Sequence, residues 1–78
     1  MIPSDPTNEL LLGRCRELAP DFAVRRVFHR GRHTCVGTCT FDGQPLAFSL
    51  RADGVANPER RVLELCLADL QYRRGQAA

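Results

Sequence analysis

The chain has 78 residues, which is enough for one small domain. A domain of this size buries only about 60% of the surface that its unfolded chain exposes. A hydrophobic fraction of 44% with 26% charged residues is typical of a globular protein and argues against disorder. The net charge is only +2, so charge alone does not point to nucleic acid. All 11 basic residues are arginine, whose planar fork fits phosphate better than a lysine ammonium does.

Two features of the sequence bear on where the protein works. The segment MIPSDPTNEL lacks the basic and apolar stretches of a signal peptide, and no apolar run reaches the roughly 18 to 20 residues that cross a bilayer. In a secreted protein the four cysteines could pair in any of three ways. Each lies within an apolar pattern, which favours reduced core residues of an intracellular protein, cytoplasmic or nuclear: Cys15, Cys35, Cys39 and Cys66.

The first predicted element is a helix that follows a flexible leader at residues 1–6. Asp5 or Thr7 can cap this helix, Glu9 lies near the positive end of its dipole, and Pro20 ends it. Apolar residues at spacings of four and three give the face that we expect to pack on the core. These residues are Leu11, Cys15 and Leu18, with Leu10 and Leu12 beside them.

Three strands are predicted next. DFAVRRVFHRG is rich in Phe and Val and indicates a strand that ends near Gly31. The segments HTCVGTCTF and PLAFSLRADG both alternate, and Asp42-Gly43 between them is a strong hairpin signal. One face of each alternating strand is therefore expected to meet the core: Cys35, Gly37, Cys39 and Phe41 in one strand, and Leu46, Phe48 and Leu50 in the other.

The last predicted element is a helix from about Pro58 to Arg73 or Arg74. Asn57 is a good N-cap, Pro58 suits the first helical position, and Gly75 is a suitable stop. Its apolar residues are more numerous than one narrow stripe: Val62, Leu63, Leu65, Cys66, Leu67 and Leu70. The element order is α-β-β-β-α, an α+β fold in which a three-stranded antiparallel sheet carries both helices on one face. The folded domain is expected to span residues 7–74, with a tail at 75–78.

This order resembles the double-stranded RNA-binding domain family over about residues 6–74. HTCVGTCTFDGQ resembles the family's second strand and hairpin turn, and ADGVAN resembles the glycine-containing loop before its second helix. NPERRVLELCLADL stands where the family carries a Lys-Lys-x-Ala-Lys signature and an apolar second helix. The resemblance implies recognition of A-form duplex RNA by shape and backbone contacts, without a cofactor, across about 16 base pairs.

The resemblance also implies RNA contacts from three places in the chain. The contacts expected at the start of the first helix are Asn8 and Glu9; in the loop HRGRH, Arg30, Arg32 and His33; and at the start of the second helix, Asn57, Arg60 and Arg61. The chain departs from the family pattern at two of the three signature lysines, which are replaced by Glu59 and Leu63. An ordinary capped helix start and an ordinary polar hairpin loop are the alternatives at these places.

A second interpretation assigns the same fold to protein association or to a homodimer, as in family members that have lost their RNA contacts. The third strand is more apolar than is usual in RNA binders, and the second helix has a wide apolar face. A contiguous exposed remainder of these apolar residues would form the interface. The candidate interface residues are Leu46, Phe48, Leu50, Leu63 and Leu67.

Metal and enzyme chemistry receive little support from the sequence. HRGRHTCVGTC contains four residues of types that bind zinc, but its two cysteines, four positions apart on one strand, lie about 13 Å from each other. No glycine-rich phosphate loop, nucleophile elbow or paired carboxylates are present, so we expect neither catalysis nor a small-molecule substrate. The four zinc-type residues are His29, His33, Cys35 and Cys39.

Overall fold

The computed structural model describes residues 5–76. Its elements run in the predicted order α-β-β-β-α and form an open antiparallel sheet in which β2 is central. The predicted α+β class is therefore confirmed. The elements are α1 (Pro6–Leu18), β1 (Ala23–His29), β2 (Arg32–Phe41), β3 (Gln44–Arg51) and α2 (Pro58–Gln76).

Helix α1 begins where local sequence chemistry predicts. The Asp5 side chain caps it by accepting hydrogen bonds from the backbone N–H groups of Thr7 and Asn8. At the other end Ala19 is extended, as is usual for a residue before proline, and the helix stops. The prediction that Leu10 widens the apolar face was wrong, because its side chain is 59% exposed. Positions 1–4 of the predicted leader and positions 77 and 78 of the predicted tail lie outside the described residues.

Two hairpin turns with the same backbone geometry join the strands. Arg30 and Gly31 have φ values of 52° and 74°, and Asp42 and Gly43 have values of 53° and 76°. Positive φ at both central residues is the type I′ pattern that matches the twist of the flanking strands. The first turn is therefore only two residues long, and β1 ends at His29 rather than near Gly31.

Helix α2 lies across the sheet and contacts all three strands, while α1 packs against α2. Gly37 in β2 permits this approach, because a Cβ there would lie 2.9 Å from Cγ1 of Val62. The predicted stop at Gly75 was wrong, since α2 continues through it to Gln76. Five of the six apolar residues predicted to form its wide face are buried, and the sixth, Leu65, is 53% exposed.

The predicted core faces are confirmed by burial. Phe22 and Cys35 are buried in the core, and the inward residues of β3 pack against it. All four cysteines are buried and free, as predicted for core residues. Burial raises the pKa of Cys15 and Cys35 to about 11 and that of Cys66 to about 12, so these thiols stay protonated at neutral pH. Among the described residues, neither helix is both long enough and apolar enough to cross a membrane.

Candidate nucleic-acid interface

The three places that the resemblance singles out lie at one end of the domain. Side chains of Asp5 and Asn8 at the start of α1 bond to Asn57 and Arg60 at the start of α2. The first turn of α2 also reaches Arg26 of β1 through Glu59. The β3–α2 loop contacts the first hairpin, where the Asp53 carboxylate accepts a hydrogen bond from the His33 N–H at 3.3 Å.

A polar network joins the two helix starts. Nη2 of Arg60 donates to both carboxylate oxygens of Asp5, at 3.1 and 2.9 Å, and Nε of Arg60 lies 3.4 Å from Oδ1 of Asn8. The Asn57 side chain donates to Asp5 at 3.1 Å and accepts from Asn8 at 3.0 Å. The hydrogen bond from the Asn8 N–H lowers the pKa of Asp5, and the N–H of Thr7 and the Arg60 charge add to this effect. This carboxylate therefore stays ionised and balances the charge of Arg60.

Three of the predicted RNA-contact residues are thus engaged with one another in the folded chain: Asn8, Asn57 and Arg60. Asn57 also caps α2, with its Oδ1 accepting from the Arg60 N–H at 3.3 Å. Its φ of 50° is a left-handed value that asparagine tolerates better than most residues. Glu9, also predicted to contact RNA, is exposed in the first turn of α1.

Glu59 turns toward the sheet instead of toward solvent. It is 6% exposed, and its carboxylate accepts from Nε and Nη2 of Arg26, the latter at 2.9 Å. The Cys35 thiol lies 3.8 Å from the same carboxylate and donates to it. These hydrogen bonds, that of Arg26 first, outweigh desolvation and lower the pKa of Glu59. The acid at the start of α2 therefore neutralises an arginine of β1 and is withdrawn from the surface.

The first hairpin turn and the outer side of α2 leave arginines in solvent. Arg30, Arg32 and Arg61 are exposed, and none of them makes an ion pair among residues 5–76. His33 is exposed too, and its ring lies 4.6 Å from that of Phe28 between centroids. Arg30 follows β1 four positions after Arg26, over which the first turn of α2 is held. Arg30, Arg32 and Arg61 thus leave positive charge exposed at the end of the domain where the two helices start, while other arginines, among them Arg14 and Arg74, are exposed elsewhere on the surface.

The residues proposed for a protein interface divide into two groups. Leu63 and Leu67 are 3% and 8% exposed and belong to the core, so an exposed surface of the folded chain does not include them. Leu46, Phe48 and Leu50 are half-buried and pack against that core. An open groove runs between β3 and α2, and it is lined by Phe48, Ser49, Leu50, Val62, Leu65 and Asp69.

Sequence reasoning missed the partners of two charged residues. The inward position of Arg26 follows from its alternation with Phe22 and Val24, but its partner Glu59 is 33 positions away. Asp5 and Arg60 are 55 positions apart, and no periodic pattern in the sequence predicts that they pair. Within residues 5–76, no three His, Cys, Asp or Glu side chains come together as a metal-binding group.

Comparisons of this chain with protein-family models, with curated proteins and with solved structures found no significant match.

Proposed function

We propose that this chain is a double-stranded RNA-binding domain with a degenerate contact signature, which holds A-form duplex RNA by shape and backbone contacts. The observation that carries the proposal is Arg30. It is exposed and left-handed at a hairpin tip, whereas the equivalent position of the other turn holds Asp42, a residue type suited to this conformation. An arginine there costs about 1 kcal/mol of backbone strain, and such strain is typical of binding sites.

The proposed contacts use the exposed charge at this end of the domain. Arg30 and Arg32 at the hairpin tip reach one groove and its phosphates, and Arg61 meets phosphates beside the N-terminus of α2, where the helix dipole adds to the attraction. Glu9, exposed on α1, faces the second minor groove, where its carboxylate can accept from 2′-hydroxyl groups.

In this proposal the polar network has a positioning role. Asn8, Asn57 and Arg60 fix the start of α1 against the start of α2 through Asp5, and so set the spacing between two RNA contacts. We place the protein inside the cell, in the cytoplasm or nucleus, because its free thiols are buried core residues and RNA is an intracellular ligand. The proposal requires no cofactor.

Fluorescence anisotropy with a labelled, blunt RNA duplex of about 20 base pairs tests this function. We expect the binding constant to fall as the salt concentration rises. The slope of log K against the logarithm of the salt concentration should become less steep by about 0.9 for each phosphate contact removed. The combined substitution of Arg30→Gln, Arg32→Gln and Arg61→Gln should weaken binding and flatten the slope. Arg74→Gln is the matched control, because Arg74 is exposed about 20 Å further along α2 from Arg61. Failure of the wild-type chain to bind the duplex at low salt would refute the proposal.

A second candidate function, association through the edge of the sheet, is favoured by the groove beside β3. Strand β3 lies at a sheet edge among the described residues, and an unpaired edge offers backbone hydrogen bonds to a second chain. The exposed side chain of Leu65 adds apolar surface to the half-buried Phe48 and Leu50 along the same groove. A homodimer or a partner protein adding a strand would use this surface.

Light scattering over a range of protein concentrations distinguishes this candidate. If β3 mediates self-association, the molar mass should rise toward that of a dimer as the protein concentration increases. Leu65→Glu should abolish this rise, and because Leu65 is exposed the substitution should leave the core packing intact. Leu10→Glu is the control, since Leu10 is equally exposed but lies on α1. A monomer at every concentration excludes the homodimer, and unchanged association of the Leu65→Glu variant excludes this groove.

A further inference from the structure

Phe28 is an exposed aromatic side chain that the fold does not use. Its side chain is 64% exposed, whereas Phe22 is buried and Phe41 and Phe48 pack against the core. Phe28 lies on the sheet face that carries the helices. It is two positions nearer the hairpin tip than Arg26, the β1 residue that Glu59 contacts. Most of the apolar surface of this ring is left in water, so it contributes little to the core for its size.

The Phe28 ring lies beside the ring of His33. The two residues are directly opposite in the β1–β2 ladder, and their rings lie 4.6 Å apart between centroids with an interplanar angle of 43°. The backbone of His33 is fixed on both sides: its N–H donates to Asp53 at 3.3 Å, and its carbonyl accepts from the Ala52 N–H at 2.9 Å. The pair is thus an aromatic surface that is largely open to solvent.

Arginines flank this aromatic pair along the hairpin. Arg26 precedes Phe28 by two positions on the same face, where Glu59 fixes its guanidinium, and Arg30 follows at the turn. Arg32 is next to His33 in β2, and the Asp53 carboxylate accepts a hydrogen bond from the His33 N–H. Arg26 is neutralised by Glu59, whereas Arg30 and Arg32 make no ion pair among residues 5–76. An exposed aromatic ring near two such cations is a surface that a nucleobase and its phosphate can contact.

We propose that Phe28 and His33 form a stacking platform for an unpaired RNA base at the end of a bound duplex. This inference rests on the proposed RNA-binding function and specifies its substrate: a duplex with an overhanging nucleotide. Paired bases inside the duplex are stacked on both faces, whereas an overhanging base can be splayed out to lie on the ring. Stacking on an aromatic side chain contributes about five- to 150-fold in affinity, the equivalent of about 1 to 3 kcal/mol per base.

The test compares three RNA duplexes of identical sequence in fluorescence anisotropy: a blunt one, one with a single overhanging adenosine, and one whose overhang is an abasic nucleotide. We expect the wild-type chain to bind the adenosine overhang about five- to 150-fold more tightly than the abasic one, which carries the same phosphate. Phe28→Leu should bring this ratio to about one, and Tyr72→Leu, which alters an exposed aromatic side chain far along α2, should leave it unchanged. Thermal unfolding confirms that each variant is folded.

The outcomes separate this inference from the function on which it rests. Binding to the blunt duplex with equal affinity for the two overhangs overturns the platform and leaves duplex recognition intact. A preference for adenosine that survives Phe28→Leu also overturns the platform. If none of the three RNAs binds at low salt, both the proposed function and the platform are wrong.

Discussion

The role of Glu59 in the folded chain differs from the one that its sequence position suggests. In the sequence it stands where the double-stranded RNA-binding domain family, which the chain resembles, has a signature lysine, and it lies at the positive end of the α2 dipole. In the folded chain it is a buried carboxylate whose hydrogen bonds come from Arg26 and Cys35. The ion pair joins the first turn of α2 to β1 and so stabilises the fold. Because Glu59 is buried, its carboxylate is withdrawn from the surface that carries the exposed arginines.

The ion pair predicts an asymmetry between its two partners. Arg26→Ala leaves the Glu59 carboxylate without its counter-charge and should lower the free energy of unfolding by more than Glu59→Gln does. Glu59→Gln should cost about 1 kcal/mol, because the Arg26 side chain is 51% exposed and water can solvate it. Urea unfolding at pH 7 measures both. Asp69→Asn, which breaks the exposed i,i+4 pair with Arg73, is the control and should cost no more than about 0.5 kcal/mol.

At the scale of elements, the two hairpins provide an internal comparison. Both turns have the same φ pattern, but one begins with Asp42 and the other with Arg30. Asparagine, aspartate and glycine favour this conformation and arginine does not. Local propensity therefore explains the second turn and leaves the arginine of the first without a structural reason.

The comparison predicts that Arg30→Asn stabilises the domain. Relief of the left-handed strain should raise the free energy of unfolding by about 0.5 to 1 kcal/mol, as measured by urea denaturation. The same substitution should weaken RNA binding in anisotropy, because it removes one cation from the hairpin tip. Asp42→Asn is the control and should change stability by less, since aspartate already suits its turn. Lower stability of the Arg30→Asn variant would show that arginine is not strained there.

The contact between α2 and β2 depends on the absence of a side chain at Gly37. A Cβ at this position would lie 2.9 Å from Val62, 3.1 Å from the Phe22 ring and 3.2 Å from the Cys66 sulfur. Gly37→Ala should therefore lower the free energy of unfolding by about 1 to 3 kcal/mol through overpacking. Thermal or urea unfolding measures the loss. Gly13→Ala is the matched control: a Cβ there meets nothing within 4 Å, and alanine in an exposed helix should stabilise by up to about 1 kcal/mol.

For the whole molecule, hydrogen-bonded carboxylates contribute to the response to acid. One is Asp21, whose pKa is lowered chiefly by the Thr40 N–H, and two others join separate elements. The folded chain lowers the pKa of Glu59 below its usual 4.5, chiefly through the hydrogen bond with Arg26, and that of Asp5 below its usual 3.8, chiefly through the Asn8 N–H. Both groups bind protons more readily when unfolded, so their stabilisation is complete above about pH 5.5 and is lost as pH falls through the folded pKa values.

We therefore expect the thermal midpoint to be level between pH 6 and 7 and to fall below about pH 4.5. Scanning calorimetry from pH 7 to pH 3 measures this profile. Glu59→Gln should lower the midpoint at neutral pH and make its decline in acid shallower, because one of the titrating groups is gone. A parallel decline in variant and wild type would mean that Glu59 does not carry the acid response.

Local sequence patterns were enough to predict the elements, their order and most of the residues that face the core. Period-two alternation fixed the inward sides of β2 and β3, Asp42-Gly43 marked a turn, and Pro20 and Pro58 bounded the helices. These features are local, since each depends on neighbours within one turn or one strand. Local rules alone were wrong at three positions. Leu10 and Leu65 are apolar but lie on the exposed sides of their helices, and α2 continues through Gly75.

Which arginines are paired and which stay exposed depends on the tertiary fold. Arg60 is bound by Asp5 and Arg26 by Glu59, across 55 and 33 positions of the chain, while Arg30, Arg32 and Arg61 stay in solvent. In the sequence these five arginines are equivalent cations. Pairing between carboxylates and guanidinium groups that are distant in sequence depends on how the helices pack on the sheet. The spacing of residues along the chain does not predict that packing.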